Sequence, residues 1–223
     1  MQTGHKEKKI IPVLFEEMDG IWLHMQDSSH KRMKKQEMKV FTMYEGWDKD
    51  QQRRSTLVGK TMLAGMESSR LFHEKREALI EKKYDVDEIQ QRILNGDGGS
   101  WIKETYDPDA IFQLDRYHVY QEILRKINDR SAQREARNLF EEGKTEELLE
   151  FLLVYADSVE TTDEKDNRSR NARELYRYLN NNKAGLLPYQ KQGKKIPEPR
   201  EGIVYKNMGV QESQNCTVIT MRM

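Results

Sequence analysis

Three acidic residues have neighbours of the kind that metal-dependent chemistry requires. Each lies beside glycine or small polar residues at the boundary of a predicted element: Asp19 in FEEMDGIW, Asp97 in LNGDGGSW and Glu212 in GVQESQN. Glycine leaves space for a substrate to approach the backbone. Carboxylate oxygens suit Mg²⁺ or Mn²⁺, and two such ions about 4 Å apart can activate a nucleophile and stabilise the leaving oxygen of a phosphodiester. The residue types therefore fit a two-metal site, provided that the fold brings them together.

The local sequence leaves ordinary alternatives open for these residues. Asn-Gly and Asp-Gly are common turn dipeptides, so Asp97 also fits a plain turn. Since 38 of the 223 residues are acidic, an acidic residue beside glycine also arises by chance. Alternation along a strand puts Glu17 on the same face as Asp19, which makes Glu17 a further candidate ligand.

The composition indicates a globular protein with no overall charge preference. Lysines and arginines number 38 and equal the acidic residues, so no global positive field points to a nucleic-acid partner. Cys216 is the single cysteine of the sequence, which excludes a disulfide within it and a cysteine-based zinc site. No stretch approaches the roughly 20 apolar residues of a membrane span. We therefore expect a location in the reducing cytoplasm and no membrane partner.

The elements that must position the acids are read from hydrophobic periodicity. Three runs rich in β-branched and aromatic residues predict an antiparallel meander, with a hairpin near Asp19-Gly20 as an alternative within the first: 10–25, 35–47 and 55–65. A helix capped by Ser68 or Ser69 follows, and its predicted apolar face consists of Leu71, Phe72, Ala78 and Leu79. Two short strands and a helix come next: 89–99, 110–115 and 116–127.

The remainder of the chain is predicted to be mostly helical. Helical periodicity continues from 129 to about 187, residues 188–202 form a proline- and lysine-containing loop, and the final segment fits strand or helix equally well. Trp22 and Trp101 each follow one of the two aspartates, and we expect both to pack in the core.

Five sequence blocks occur in a fixed order along the chain: EMDGIWLHMQ, LNGDGGSWIKE, FQLDRYHVYQEI, YLNNNKAGLLPY and MGVQESQNC. In this combination the sequence resembles the bacterial ISLre-type insertion-sequence transposases, whose wider relatives are the Mutator-like transposases. The resemblance extends from about Ile10 to Met223. It implies an α/β protein with a ribonuclease-H-like core, an all-helical insertion before the third acidic residue, and a catalytic, metal-binding DDE triad of Asp19, Asp97 and Glu212.

The resemblance also implies a domain division. Residues 1–127 would form the ribonuclease-H-like core with the first two acids, Asp19 on the first strand and Asp97 after the fourth. Residues 128–205 would be the helical insertion and the Pro/Lys-rich loop, and 206–223 the start of the C-terminal catalytic helix. Members of that group are roughly twice as long and carry an N-terminal DNA-binding region, so we expect this chain to be a catalytic-region fragment.

The implied activity is metal-dependent DNA cleavage and strand transfer of an insertion sequence. It would use two Mg²⁺ or Mn²⁺ ions and no nucleotide cofactor, with transposon ends and target DNA as partners, self-association of the protein, and a nucleoid location when DNA is bound. Asp115 and His118 match an Asp–His pair that supports the site in Mutator-like relatives. Candidates for contacts with DNA phosphates are Lys103, Arg116 and Arg125.

Two rival functions remain open at this point. One is a non-catalytic transposase remnant that acts as a DNA-binding or interaction module, which the neutral net charge favours. The other is a ribonuclease-H-like nuclease that cuts branched DNA or RNA–DNA hybrids without joining strands.

Overall fold

The computed structural model describes residues 7–26, 32–50, 56–104, 107–163 and 165–211. The chain divides into two compact units, residues 1–111 with 195–223, and residues 112–194. Asp19 and Asp97 belong to the first unit, whereas Asp115 and His118 belong to the second. No helix in the described ranges is long and apolar enough to cross a membrane.

The largest sheet is mixed and has five strands: β1 Val13–Gln26, β2 Arg32–Tyr44, β4 Thr61–Gly65, β5 Gln91–Gly96 and β6 Ile111–Leu114. Their order in space is β4-β2-β1-β5-β6, and the boundary between the two units falls within β6. β1 pairs antiparallel with β2 and parallel with β5. Two short strands, β3 Trp47–Asp48 and β7 Ile203–Val204, form a separate antiparallel pair. The α/β class and the three-stranded meander are thereby confirmed.

The helix α1, Ser69–Lys83, connects the meander to β5. Ser68 caps it, because its hydroxyl oxygen accepts a hydrogen bond from the Leu71 amide at 3.4 Å. The predicted apolar face is wrong in part, since Leu71 is exposed and the buried positions are Phe72, His73, Arg76 and Ile80. The inner face of α1 therefore carries two polar side chains, for which hydrophobic periodicity gives no signal.

β1 is a single uninterrupted strand, so the alternative of a hairpin at Asp19-Gly20 is wrong. Asp19 pairs with Val40 and Gly20 with Lys39 in the middle of the β1–β2 ladder. Beyond these residues β1 and β2 continue as a two-stranded ribbon, because the pairing with β5 ends at Met18. Trp22 lies in this ribbon and is 61% exposed, so the prediction that it packs in the core is also wrong.

The two faces of β1 are covered by different parts of the chain. Glu16 and Met18 face α1, where both contact Arg76. Phe15 and Glu17 face the opposite side, where the ring of Tyr205 packs edge-on against Phe15 at 5.1 Å between centroids. The strand thus has α1 on one side and the segment after β7 on the other.

The second unit is helical, as predicted for residues 129–187. Its helices are α2 Arg116–Lys126, α3 Arg130–Glu142, α4 Thr145–Ser158 and α5 Arg168–Asn181. α3 begins at Asp129, whose carboxylate accepts a hydrogen bond from the Ala132 amide at 2.7 Å, and ends at Gly143 with φ of 76°. One hydrophobic cluster joins the four helices and includes Ile123, Leu152 and Leu175.

Truncation of this cluster should destabilise the protein. We expect Leu152→Ala to lower the free energy of unfolding by about 2–5 kcal/mol. Leu152 is fully buried, so the substitution removes buried apolar atoms and leaves a cavity in the cluster. Val154→Ala, two residues along the same helix, is the control, since Val154 is 61% exposed. Urea unfolding followed by circular dichroism measures both, and equal losses would contradict the packing described.

Candidate functional site

The fold places Asp19 on β1 and Asp97 directly after β5, the strand that pairs in parallel with β1. The pairing of β1 with β5 extends from Val13 opposite Gln91 to Met18 opposite Gly96. Asp19 directly follows Met18, and Asp97 directly follows Gly96. Adjacent strands lie about 4.8 Å apart, and the carboxyl ends of parallel strands are a common place for ligands. Two of the three predicted acids therefore follow paired residues of adjacent strands. They are as far apart in sequence as Glu17 and Asn95, which are 78 positions apart and in hydrogen-bond contact.

Local hydrogen bonds orient both aspartates. Asp19 is buried, and its Oδ1 accepts the Gly20 amide at 2.8 Å. Asp97 is half-buried, and its Oδ1 accepts the Gly99 amide at 2.8 Å. The turn also needs Gly98, whose φ of 84° lies in the left-handed region. The second acid thus does occupy a glycine turn, and this turn fixes the direction of a carboxylate beside Asp19.

Glu17 occupies the same face as Asp19 and is fully buried. Its carboxylate accepts hydrogen bonds from the Tyr44 hydroxyl at 2.6 Å and from the Asn95 side-chain amide at 3.4 Å. The backbone amides of Gly209 at 3.1 Å and Gln211 at 3.0 Å donate to it as well. Burial raises the pKa of Glu17, although these hydrogen bonds act in the opposite direction. Sequence reasoning named Glu17 only as a candidate ligand and missed these contacts.

The third predicted acid, Glu212, lies outside the described residues, as does Cys216. Gln211 is the last described residue and is helical. Within the described ranges, no three His, Cys, Asp or Glu side chains are grouped so as to hold a metal ion. The triad of Asp19, Asp97 and Glu212 thus stays a prediction, while two oxygen-donor side chains of the type that Mg²⁺ prefers stand at neighbouring positions.

A buried polar network on the α1 side holds the loop that follows Asp97. The guanidinium of Arg76 donates to the carbonyl of Glu104 at 3.2 Å and lies 2.9 Å from Nδ1 of His73. Nε2 of His73 lies 2.6 Å from the carbonyl oxygen of Trp101. Because that carbonyl can only accept, His73 donates from Nε2 and accepts at Nδ1. Trp101 packs edge-on against Phe72 at 5.9 Å, in agreement with its predicted packing role.

The same network continues to the strand residue Glu16. Two arginines contact its carboxylate, Arg92 at 2.6 Å and Arg76 at 3.2 Å, and both also contact Glu77 at 2.9 Å. Burial would raise the pKa of Glu16, but the two arginines hold it below its usual range. β1, α1 and β5 are therefore joined by ion pairs on the face opposite Asp19.

Asp115 and His118 lie at the start of α2. Asp115 is the N-cap, and its Oδ1 accepts the amides of Tyr117 at 2.9 Å and His118 at 3.2 Å. His118 is half-buried with its ring against Tyr117 at 5.8 Å. Helix capping accounts for the Asp115 carboxylate, and the supporting role of the pair stays a prediction.

The predicted phosphate-contacting residues occupy three different settings. Lys103 is exposed in the loop after Asp97. The guanidinium of Arg116 stacks on Phe140 at 4.5 Å from the ring centroid, and Arg125 forms an ion pair with Glu122. DNA contact by these residues stays a prediction.

The His73 network should make stability depend on pH. Burial lowers the pKa of His73, as does Arg76, while the Trp101 carbonyl and Glu104 and Glu77 oppose the shift. A pKa depressed on folding contributes stability that is present above the unfolded value near 6.5 and is lost as pH falls through the folded value.

We therefore expect the free energy of unfolding to fall between about pH 7.5 and about pH 5.5, because protonated His73 cannot accept from Arg76. His73→Gln should reduce this fall, whereas the control His24→Gln should not, because His24 is exposed on β1. Urea unfolding at the two pH values measures both, and an identical pH dependence in all three proteins would contradict the role assigned to His73.

Sequence comparison with known proteins places this chain in a family. Three UPF0236 proteins of Caldanaerobacter subterraneus subsp. tengcongensis are each 24% identical to the chain over 220 residues. The alignments cover 94% of this chain but only 44%, 44% and 42% of the relatives, so the chain spans less than half of their length. Residues 1–212 match the family described as "Uncharacterised protein family (UPF0236)". The chain therefore belongs to the UPF0236 family.

Proposed function

We propose that this chain is the catalytic region of a DDE transposase of the ISLre type. It would cut a phosphodiester at the end of an insertion sequence and join the freed 3′-hydroxyl to target DNA. Asp19, Asp97 and Glu212 would hold two Mg²⁺ or Mn²⁺ ions. The observation that carries this proposal is the pairing of Met18 with Gly96, because Asp19 directly follows the first and Asp97 directly follows the second.

The order of elements supports a ribonuclease-H-like core. Asp19 lies on the first strand and Asp97 directly follows β5, which is the fourth strand of the large sheet in chain order. In chain order, the helical unit follows β5 and precedes segment 209–211. These are the positions that the transposase resemblance implies for the first and second acids, and the helical unit, residues 112–194, overlaps the predicted insertion of 128–205 but begins earlier, with α2.

The described residues have distinct tasks in this chemistry. Divalent ions held by these residues would activate the nucleophile and stabilise the leaving oxygen. Asp19 and Asp97 would present carboxylate oxygens in orientations fixed by the amides of Gly20 and Gly99. The space beside Gly96 is filled by Ile102 and that beside Gly99 by Asp97 and Trp101, so these two glycines serve the local packing of the turn. Water and then the 3′-hydroxyl would act as nucleophiles, so no covalent bond between protein and DNA is needed.

The proposed activity also implies binding partners and a location in the cell. The partners would be transposon ends and target DNA, with self-association of the protein and a cytoplasmic location on the nucleoid. Because the relatives are more than twice as long as the aligned region, recognition of element ends would involve sequence beyond this chain.

Metal binding is the first test of the site. We expect the purified chain to bind Mn²⁺ in calorimetry, and Asp97→Asn and Asp19→Asn each to weaken binding at least about tenfold, or about 1.4 kcal/mol. The control is Asp87→Asn, the same chemical change at an exposed aspartate of the same unit. Equal Mn²⁺ affinity in the wild type and all three variants would rule out the two-aspartate site.

DNA substrates then separate the proposal from its rivals. Cleaved and joined products that disappear in Asp97→Asn would support a transposase. Cleavage without joining would identify a nuclease, and DNA binding without either product would identify a non-catalytic remnant.

A further inference from the structure

Glu17 differs from its neighbour Glu16 in how its buried carboxylate is stabilised. Glu16 is contacted by two arginines. Glu17 is fully buried, and within the described part of the chain no lysine, arginine or histidine forms an ion pair with it. A buried carboxylate without a cation is costly unless hydrogen bonds satisfy its oxygens. The hydrogen-bond donors to Glu17 therefore identify the parts of the chain that its carboxylate joins.

Those donors come from two directions. Tyr44 and Asn95 lie on the strands that flank β1, and they fix the carboxylate within the sheet. The remaining donors are successive backbone amides of the C-terminal segment, from Gly209, Val210 and Gln211. Consecutive amides that converge on one anion form a nest. Gly209 has a φ of 116°, a left-handed conformation that favours glycine, so the backbone here is shaped around the carboxylate.

We propose that Glu17 is a positioning residue that fastens segment 209–211 to the sheet face that carries Asp19. This inference rests on the proposed function for its consequence, because Gln211 is bonded to the predicted third acid, Glu212. Glu17 itself does not serve as a metal ligand. Oε1 accepts from Tyr44 and Gly209 and Oε2 accepts from Asn95 and Gln211, so coordination would break bonds that hold the segment.

Position along the strand gives Glu17 its functional importance. It precedes Asp19 by two residues on the same face of β1 and lies opposite Asn95 of β5, which precedes Asp97 by two residues. The nest therefore surrounds a side chain that precedes the aspartates by two residues, which is the spacing of neighbouring side chains on one face of a strand. Because segment 209–211 is attached to Glu17, it lies near the part of β1 that carries Asp19.

Hydrogen exchange of the Gly209 and Gln211 amides tests the attachment. Glu17→Gln replaces one acceptor oxygen by an NH₂ group that faces amide or hydroxyl donors. We expect exchange at these two amides to accelerate at least about tenfold, the effect of losing a hydrogen bond to a charged group. Glu16→Gln is the matched control, because Glu16 is equally buried on the same strand and faces the other side. It should leave exchange at these two amides unchanged relative to the rest of the sheet.

Mn²⁺ calorimetry on the same variants tests the consequence. We expect Glu17→Gln to weaken binding although Asp19 and Asp97 are intact. Tyr44→Phe removes one donor but leaves both carboxylate oxygens, so it should retain most of the protection at Gly209 and Gln211 and most of the metal affinity.

Several results would overturn the inference. Unchanged exchange at Gly209 and Gln211 would show that Glu17 does not hold the segment. Exchange accelerated equally throughout the sheet would show only a general loss of stability. Selective loss of protection with unchanged Mn²⁺ affinity would leave Glu17 a structural contact without a role in the site. If the wild type binds no Mn²⁺, the proposed function fails, and a positioning role at a metal site fails with it, whereas the exchange data still decide whether the segment is attached.

Discussion

Parallel pairing of β1 with β5 is the constraint on which the rest of the first unit depends. Antiparallel strands can be joined by a short turn, but a parallel pair needs a crossover, and α1 supplies it between β4 and β5. The register then decides which residues become neighbours. A shift by one residue would turn Glu17 and Asn95 to opposite faces and would separate Asp19 from Asp97.

Two adjacent glutamates strengthen this register from both sides of the sheet. Glu16 draws Arg92 of β5 and Arg76 of α1 to one face, so the crossover helix is fixed relative to the strands that it connects. Glu17 accepts hydrogen bonds from the opposite face and holds backbone amides there. Leaving either Arg76 or the amides of the C-terminal segment unpaired would be costly, which disfavours alternative pairings of β1. A strand with hydrogen-bonded acidic side chains buried on both faces thus has fewer acceptable registers than a purely apolar strand.

Sequence patterns reveal the strands and helices here better than they reveal the polar core. Runs of β-branched and aromatic residues located the meander, and Asp-Gly marked the end of β5 correctly because the turn needs a left-handed glycine at Gly98. The same dipeptide at Asp19-Gly20 lies in mid-strand, where pairing with β2 overrides local turn preference. The inner face of α1 was misassigned because Arg76 and His73 are buried through contacts with distant residues, which periodicity cannot show. Trp22 was misassigned for a related reason, since exposure there depends on where β5 ends.

The helical unit lies, in sequence, between the strands and segment 209–211, and its two ends are tied together. Oε1 of Gln113, near the entry to the unit, accepts the amide of Tyr189 at 2.9 Å. The side-chain amide of Gln192, near the exit, donates to the carbonyl of Phe112 at 3.0 Å. The four helices of the unit share one hydrophobic cluster of their own. The chain thus enters and leaves the helical unit at one place, and the length of that unit does not limit the return of segment 209–211 to Glu17.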